Sequence, residues 1–184
     1  TPGVLMQQYH AVVGNPPYIT VKDPGLRDIY RKHFASSYKQ YSLVCPFFER
    51  FFELAIGPRL GEEDKQLTLG GASQEVTPGF VGMIVSNAFM KRSYGRKLVE
   101  EIVPNVDLTH VIDTSGAYIP GHGTPTVILV GRNQRPELEE VRAVLGIRGE
   151  PTTPAIPSEG RVWSSIETQT HNKGFEDDFI TVSD

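Results

Sequence analysis

The chain has 184 residues, of which 39% are hydrophobic, and its formal net charge is −4. This composition predicts one globular domain of ordinary size, and the acidic balance excludes a basic protein that wraps nucleic acid over its whole surface. No segment approaches the roughly 20 apolar residues that cross a bilayer, no signal-peptide pattern is present, and Cys45 is the single cysteine. We therefore predict a cytoplasmic protein with no membrane partner and no internal disulfide.

The first half of the chain alternates short apolar runs with helical periodicity. Residues 9–13 form an apolar run that predicts a strand. Helices are predicted over residues 26–34 and over residues 41–56, where Pro46 lies either in the first turn or at a kink. Residues 57–79 are polar and rich in glycine, which predicts a mobile surface loop.

The second half contains the longest apolar run. Residues 80–86 read FVGMIVS, as expected of a strand buried on both faces. A helix over 94–102 and a strand over 108–113 follow, and a turn rich in glycine and proline over 115–125 leads into a strand over 126–130. Alternating strands and helices predict an α/β sheet with mainly parallel strands.

The strand directions follow from the lengths of the connections. We expect the strands at 9–13, 80–86 and 108–113 to be parallel neighbours in one sheet. The strand at 126–130 follows a turn that is too short to hold a helix, so we expect it to be antiparallel to them. Residues 136–146 predict a short helix.

The stretch HAVVGNPPYIT places an amide, two prolines and an aromatic ring at the end of the first strand. Ligands of open α/β sheets bind at the carboxyl ends of the strands. The amide oxygen of Asn15 and the carbonyl of Pro16 are two fixed acceptors for the hydrogens of an amino group, and Tyr18 offers a flat face for stacking. An extruded nucleobase fits these groups. The same letters are also compatible with a plain loop or a polyproline II ligand.

The motif VVGNPPYI resembles the catalytic motif of S-adenosylmethionine-dependent N6-adenine DNA methyltransferases. The resemblance continues through FFERFFELA (47–55), GFVGMIVSNAFMKRSYGRKLVEE (79–101) and DLTHVIDTSGAYIPGHGTPTVILVGRN (107–133). The last two blocks look most like the large adenine methyltransferases of phage-defence systems, of the phage-growth-limitation or BREX type. The resemblance implies a Rossmann-like class I methyltransferase sheet with an antiparallel final hairpin strand, and a role in phage defence or restriction-modification.

The resemblance also implies roles for individual residues. Asn15 and the Pro16 carbonyl would bind the amino group of an adenine flipped out of double-stranded DNA, Pro17 would hold the turn, and Tyr18 would stack on the base. Tyr118 would supply a second stacking aromatic from the loop before the final hairpin strand, with Ile119 as the neighbour that takes its place if the register differs by one. Packing of Tyr118 against the sheet edge is the alternative.

One motif of these enzymes is absent from this sequence. Their donor-binding loop is a glycine-rich turn after a strand, and no such strand, turn and helix precede residue 9. We therefore expect residues 1–150 to be the second half of a catalytic domain, which needs the remainder of a parent chain and is inactive alone. Residues 151–184 are expected to be a linker or the start of a following target-recognition region.

Few other residues suggest chemistry. Four basic residues cluster after the buried strand, either as a solvated helix face or as contacts to DNA phosphates: Lys91, Arg92, Arg96 and Lys97. His122 and the other histidines lack partners at ligand spacing, so we expect no metal. Glu49 and Glu53 share a helix face, but methyl transfer to an amine needs no carboxylate pair.

Two other functions remain open from the residues alone. The first is a non-catalytic binding or scaffold module that uses the same fold. The second is methylation of a glutamine amide in a protein, where the same Asn-Pro-Pro-Tyr motif binds an amide nitrogen.

Overall fold

The computed structural model describes residues 2–57, 77–121 and 123–184. A six-stranded sheet forms its centre, with the strand order β1-β2-β4-β3-β5-β6. The strands are β1 (Ala11–Gly14), β2 (Phe80–Ser86), β3 (Asp107–Asp113), β4 (Thr126–Arg132), β5 (Arg142–Gly146) and β6 (Ile180–Ser183). Because β1, β2, β3 and β5 share one direction, the predicted α/β fold with mainly parallel strands is confirmed.

The position of β4 differs from the expected one. The three strands expected to be neighbours do run parallel in one sheet, and β1 pairs directly with β2. However, β4 is inserted between β2 and β3 and is antiparallel to both, so β2 and β3 are not neighbours. The apolar sequence of β4 explains its place, because Val127 and Leu129 are buried and a central strand has its hydrogen bonds satisfied on both edges.

Four α-helices accompany the sheet in the described residues. They are α1 (Pro24–His33), α2 (Val44–Leu54), α3 (Ala88–Lys91) and α4 (Arg161–Gln169). In α2, Pro46 is the third residue, so the alternative that places it in the first turn is the right one. Phe48 and Phe52 of α2 are fully buried in the same core as Val81 of β2, where burial stabilises each ring by about 1.5–3 kcal/mol.

The segment predicted as one regular helix over 94–102 is helical but irregular. A 3₁₀ turn at Ser93–Gly95 is followed by a π-helical turn at Leu98–Ile102. A Cβ at Gly95 would lie 1.9 Å from the Phe89 carbonyl oxygen, so the close approach of these two backbone segments requires glycine. The break keeps Leu98 fully buried.

The predicted helix over 136–146 is wrong. Residues 142–146 are β5, which pairs in parallel with the free edge of β3, and β6 then pairs antiparallel with β5. The segment 151–184 thus adds β6 to this same sheet and packs α4 against it, where Ile166 and Ile180 form a second core cluster with Val144. Whether this segment also begins a target-recognition region stays a prediction.

Two sequence predictions concern residues outside the described ranges. Most of the loop predicted over 57–79 falls there, as does His122. Of the helices described, none has both the length and the apolar character that a membrane span requires.

Candidate active site

The Asn15–Tyr18 segment lies at the carboxyl edge of the sheet. It follows the last residue of β1, Gly14, which pairs with Met83 of the parallel strand β2. A Cβ at Gly14 would lie 2.9 Å from the Phe51 ring, so glycine lets the end of β1 pack closely on α2. This edge is where open α/β sheets bind their ligands.

Asn15 and Pro16 differ in exposure. The Asn15 side chain is exposed, and no hydrogen bond to it is found among the described residues. Pro16 is buried and Pro17 is exposed, so the motif is anchored by its first proline. An exposed amide oxygen beside a rigid proline backbone leaves acceptors available to a ligand at little ordering cost.

Tyr18 is tied to the neighbouring strand. Its hydroxyl donates a hydrogen bond to the Ile84 carbonyl oxygen of β2 at 3.1 Å, and its half-buried ring packs against the main core. Burial raises the pKa of the Tyr18 hydroxyl above its ordinary value, so the group is neutral and can donate this bond. The hydrogen bond of the hydroxyl and the packing of the ring together fix the orientation of Tyr18.

The chain after the motif is held against the start of α2. The Leu43 amide donates to the Ile19 carbonyl at 2.9 Å, and Thr20 forms a β-bridge with Ser42. At the other end of α2, the Tyr9 amide donates to the Leu54 carbonyl at 2.7 Å. The N-terminus of α2 consequently lies at the carboxyl edge, close to the motif.

Tyr118 lies on the same edge but in a different place. It follows β3, and β2 and β4 separate β3 from β1, which corresponds to about 14 Å at the usual strand spacing. Its ring is 36% exposed and lines an open cleft of about 410 Å³ with Gly116, Ala117 and residues 150–153. The loop that carries Tyr118 thus leaves the sheet three strand positions from β1. The stacking role of Tyr118 stays a prediction, as does the substitute role of Ile119.

Two of the four basic residues predicted to contact DNA phosphates form ion pairs in the structure, and the other two do not. Arg96 is paired with Glu100 at 2.7 Å, and Lys97 with Glu101 at 3.9 Å. Lys91 and Arg92 are exposed and form no ion pair with another described residue.

Sequence reasoning missed Tyr38 and Lys39. The Nζ atoms of Lys39 and Lys97 lie 5.3 Å and 5.7 Å from the centre of the Tyr38 ring. No sequence signal could have revealed this cluster, because its two segments meet only in the folded chain.

The described ranges hold neither a metal-ligand cluster nor a glycine-rich donor-binding turn at the motif edge. No three histidine, cysteine, aspartate or glutamate side chains there converge as a metal site. Of the described strand-to-helix connections at the motif edge, residues 15–23 and residue 87 contain no glycine, and residues 147–160 contain only Gly149 and Gly160, so none of the three is glycine-rich.

The chain is similar to known methyltransferases. Residues 4–58 match the family described as Eco57I restriction-modification methylase. The chain is 46% identical over 180 residues to the adenine-specific methyltransferase PglX of Streptomyces coelicolor, covering 96% of this chain and 14% of that protein. It is 29% identical over 109 residues to the type II methyltransferase M.BstVI of Geobacillus stearothermophilus, covering 58% of this chain and 16% of the relative.

A solved structure shows the same fold. The similarity is to a modification subunit of a putative type I restriction enzyme from Vibrio vulnificus YJ016, with a TM-score of 0.61 and 11% identity, over 97% of this chain and 34% of that one. These comparisons confirm the resemblance to adenine-specific methyltransferases and the fold class. The chain spans only 14% and 16% of the two curated relatives.

Proposed function

We propose that this chain, a segment similar to the adenine-specific methyltransferases, binds the target adenine while a methyl group passes from S-adenosylmethionine to the N6 nitrogen of that base in DNA. The observation that carries this proposal is the exposed Asn15 amide beside buried Pro16 at the carboxyl edge of β1, with Tyr18 fixed next to it. The names of the relatives support the reaction, because PglX is described as adenine-specific and M.BstVI as a type II methyltransferase.

The proposed chemistry needs only acceptors and a flat surface from these residues. The amide oxygen of Asn15 and the carbonyl oxygen of Pro16 accept the two hydrogens of the adenine amino group. Electron density on the nitrogen then becomes more available, and its lone pair forms the new N–C bond while the sulfur–methyl bond of the donor breaks and leaves its electron pair on sulfur. The surplus proton on the nitrogen then passes to solvent. Stacking on Tyr18 holds the extruded base with about 1–3 kcal/mol.

The methyl donor does not fit the described residues alone. The donor supplies the methyl group, but the glycine-rich turn that cradles it in related enzymes is not found among the described strand-to-helix connections at this edge. The proposal therefore assigns the donor to residues beyond the described ones, supplied by the remainder of a parent chain. It is supported by the position of β1, which is an edge strand of the described sheet, where a further strand can pair.

The proposed partners follow from this assignment of the target base to this chain and of the methyl donor to other residues. Residues 1–150 act as the second half of a catalytic domain, completed by the remainder of a parent methyltransferase. Double-stranded DNA with one flipped adenine is the substrate, and the setting is phage defence or restriction-modification. The isolated chain is inactive.

The test is product identification with the intact methyltransferase that contains this chain. The enzyme is incubated with labelled S-adenosylmethionine and duplex DNA, and the digested nucleosides are separated. Label in N6-methyl-2′-deoxyadenosine is the expected result. Label confined to glutamine of an added protein substrate, or no transfer to either substrate, would overturn the proposal.

A further inference from the structure

Two lysines from different segments meet at one tyrosine ring. The ammonium groups of Lys39 and Lys97 lie 5.3 Å and 5.7 Å from the Tyr38 ring centre, and 37% of Tyr38 remains exposed. An exposed cation–π contact is weak, and two ammonium groups at one ring repel each other. An anion beside them would offset that repulsion.

The segment that carries Tyr38 and Lys39 is held rigidly. The buried Glu49 carboxylate accepts hydrogen bonds from the Ala35 amide at 3.2 Å, from the Ser36 amide at 2.7 Å and from the Ser36 hydroxyl. Arg31 donates to the Lys39 carbonyl. These bonds tie the segment to α1 and α2.

Lys39 has an unusual backbone conformation. Its φ of 55° lies in the left-handed region, and it is the one non-glycine residue with positive φ in the described part of the chain. Such a conformation persists only where the surroundings impose it. It sets the direction in which the Cα–Cβ bond of Lys39 leaves the backbone at the protein surface.

The local charge is positive on balance. Lys97 has Glu101 at 3.9 Å, and Arg96 beside it is paired with Glu100 at 2.7 Å. Lys39 forms no ion pair with any described acidic residue. The Tyr38 cluster therefore retains uncompensated positive charge.

The cluster lies at the edge that carries the base-binding motif. Tyr38 and Lys39 precede Ser42 and Leu43, which bond to Thr20 and Ile19 just after the motif. A nucleotide extruded toward Asn15 must bring its phosphate backbone along this edge.

We propose that Lys39, Lys97 and the Tyr38 ring that both ammonium groups approach form a binding site for the DNA phosphate backbone beside the extruded base. This inference rests on the proposed function. The site adds Lys39 and Tyr38 to the basic residues after β2, and it uses Lys97 as a member of a cross-segment pair.

The test is the salt dependence of DNA binding by the intact methyltransferase. Affinity for a fluorescent duplex is measured between 50 and 200 mM salt for the wild type, Lys39→Gln, Lys97→Gln and the double variant. The matched control is Lys173→Gln, because Lys173 is an exposed lysine that pairs with Asp184, beyond β6 at the opposite edge of the sheet. Each phosphate contact contributes about 0.9 to the slope of log affinity against log salt.

The expected slope is lower by about 0.9 in each single variant and by about 2 in the double variant, with no change in Lys173→Gln. Tyr38→Leu lowers the slope while Tyr38→Phe, which keeps the ring, preserves it. A wild-type slope in the double variant overturns this inference. Failure of the proposed function is distinguishable, because the wild-type enzyme itself would then transfer no methyl group to adenine.

Discussion

The hydroxyl of Tyr18 donates a 3.1 Å hydrogen bond to the backbone carbonyl of Ile84, which joins the base-binding motif to the next strand of the sheet. The motif leaves β1 at its carboxyl end, and this bond fixes the aromatic ring relative to β2. The orientation of the ring is thus a property of the sheet as well as of the loop. Two separate roles, anchoring and stacking, can be tested at this one residue.

We predict that Tyr18→Phe retains base capture and Tyr18→Ala loses it. The phenylalanine ring keeps the stacking surface but removes a hydrogen bond worth about 0.5–1.5 kcal/mol, so the loop loosens slightly. In the intact enzyme, 2-aminopurine at the target position reports the base leaving the duplex. The fluorescence increase should remain in Tyr18→Phe and disappear in Tyr18→Ala. Loss of the fluorescence increase in both variants would show that Tyr18 acts only as an anchor.

A second prediction concerns the cleft that contains Tyr118. Because Tyr118 lies with residues 150–153 and is three strand positions from β1, we expect Tyr118→Ala to weaken the 2-aminopurine signal less than Tyr18→Ala does. Ile119→Ala is the matched variant, since Ile119 is its half-buried neighbour. Donor binding should be unaffected in both. If neither variant changes the signal or the methylation rate, the second stacking residue does not come from this loop.

The third prediction addresses the buried carboxylate of Glu49. Glu49→Ala leaves the Ser36 amide and hydroxyl without their acceptor in a buried position, at a cost of about 1–3 kcal/mol. Amide exchange over residues 35–39, measured by mass spectrometry on the intact protein, should therefore accelerate between about fivefold and a hundredfold. Glu53→Ala is the control, because Glu53 is partly exposed in an ion pair with Arg50 and contributes little. Unchanged exchange in Glu49→Ala would contradict the assigned anchoring role.

The fourth prediction concerns the pH dependence of Cys45. Burial, and secondly the neighbouring Glu49 carboxylate, raise the pKa of the Cys45 thiol to about 12. The neutral thiol is therefore favoured in the folded state. Its contribution to stability is complete below the ordinary thiol pKa of 9.0 and is lost as the pH rises toward the folded-state pKa of about 12. At pH 8 the native protein should not react with a disulfide reagent, whereas the unfolded chain should react fully. Rapid modification of the native protein at pH 8 would contradict the burial.

The sequence predicts best where a segment determines its own structure. The run FVGMIVS gives β2 with the predicted bounds. Its predicted burial on both faces is met only in part, because Val81, Met83 and Val85 are buried whereas Phe80 is 53% exposed. The motif at Asn15 could also be placed at the carboxyl edge, because the prolines must end β1. These predictions depend on local chemistry.

The predictions are wrong where the structure of a segment depends on pairing with a strand that is distant in the sequence. Residues 136–146 contain good helix formers, yet residues 142–146 become β5 because the edge of β3 offers unpaired backbone groups. The insertion of β4 between β2 and β3 is likewise decided by pairing across the sheet. The cluster of Lys39 and Lys97 at Tyr38 joins two segments that no sequence spacing connects.

The central claim is that the Asn15 amide oxygen holds the amino group that is methylated. The most direct measurement is the single-turnover rate of N6-adenine methylation by the intact enzyme with Asn15→Ala and Asn15→Asp, alongside the DNA affinity of each variant. The account predicts that Asn15→Ala slows methyl transfer by about 100-fold or more, because one preorganised hydrogen-bonding group is removed from the reacting amino group. The DNA affinity should be unchanged. Asn15→Asp, which keeps an acceptor oxygen, should retain more activity than Asn15→Ala. A wild-type methylation rate in Asn15→Ala would contradict the account.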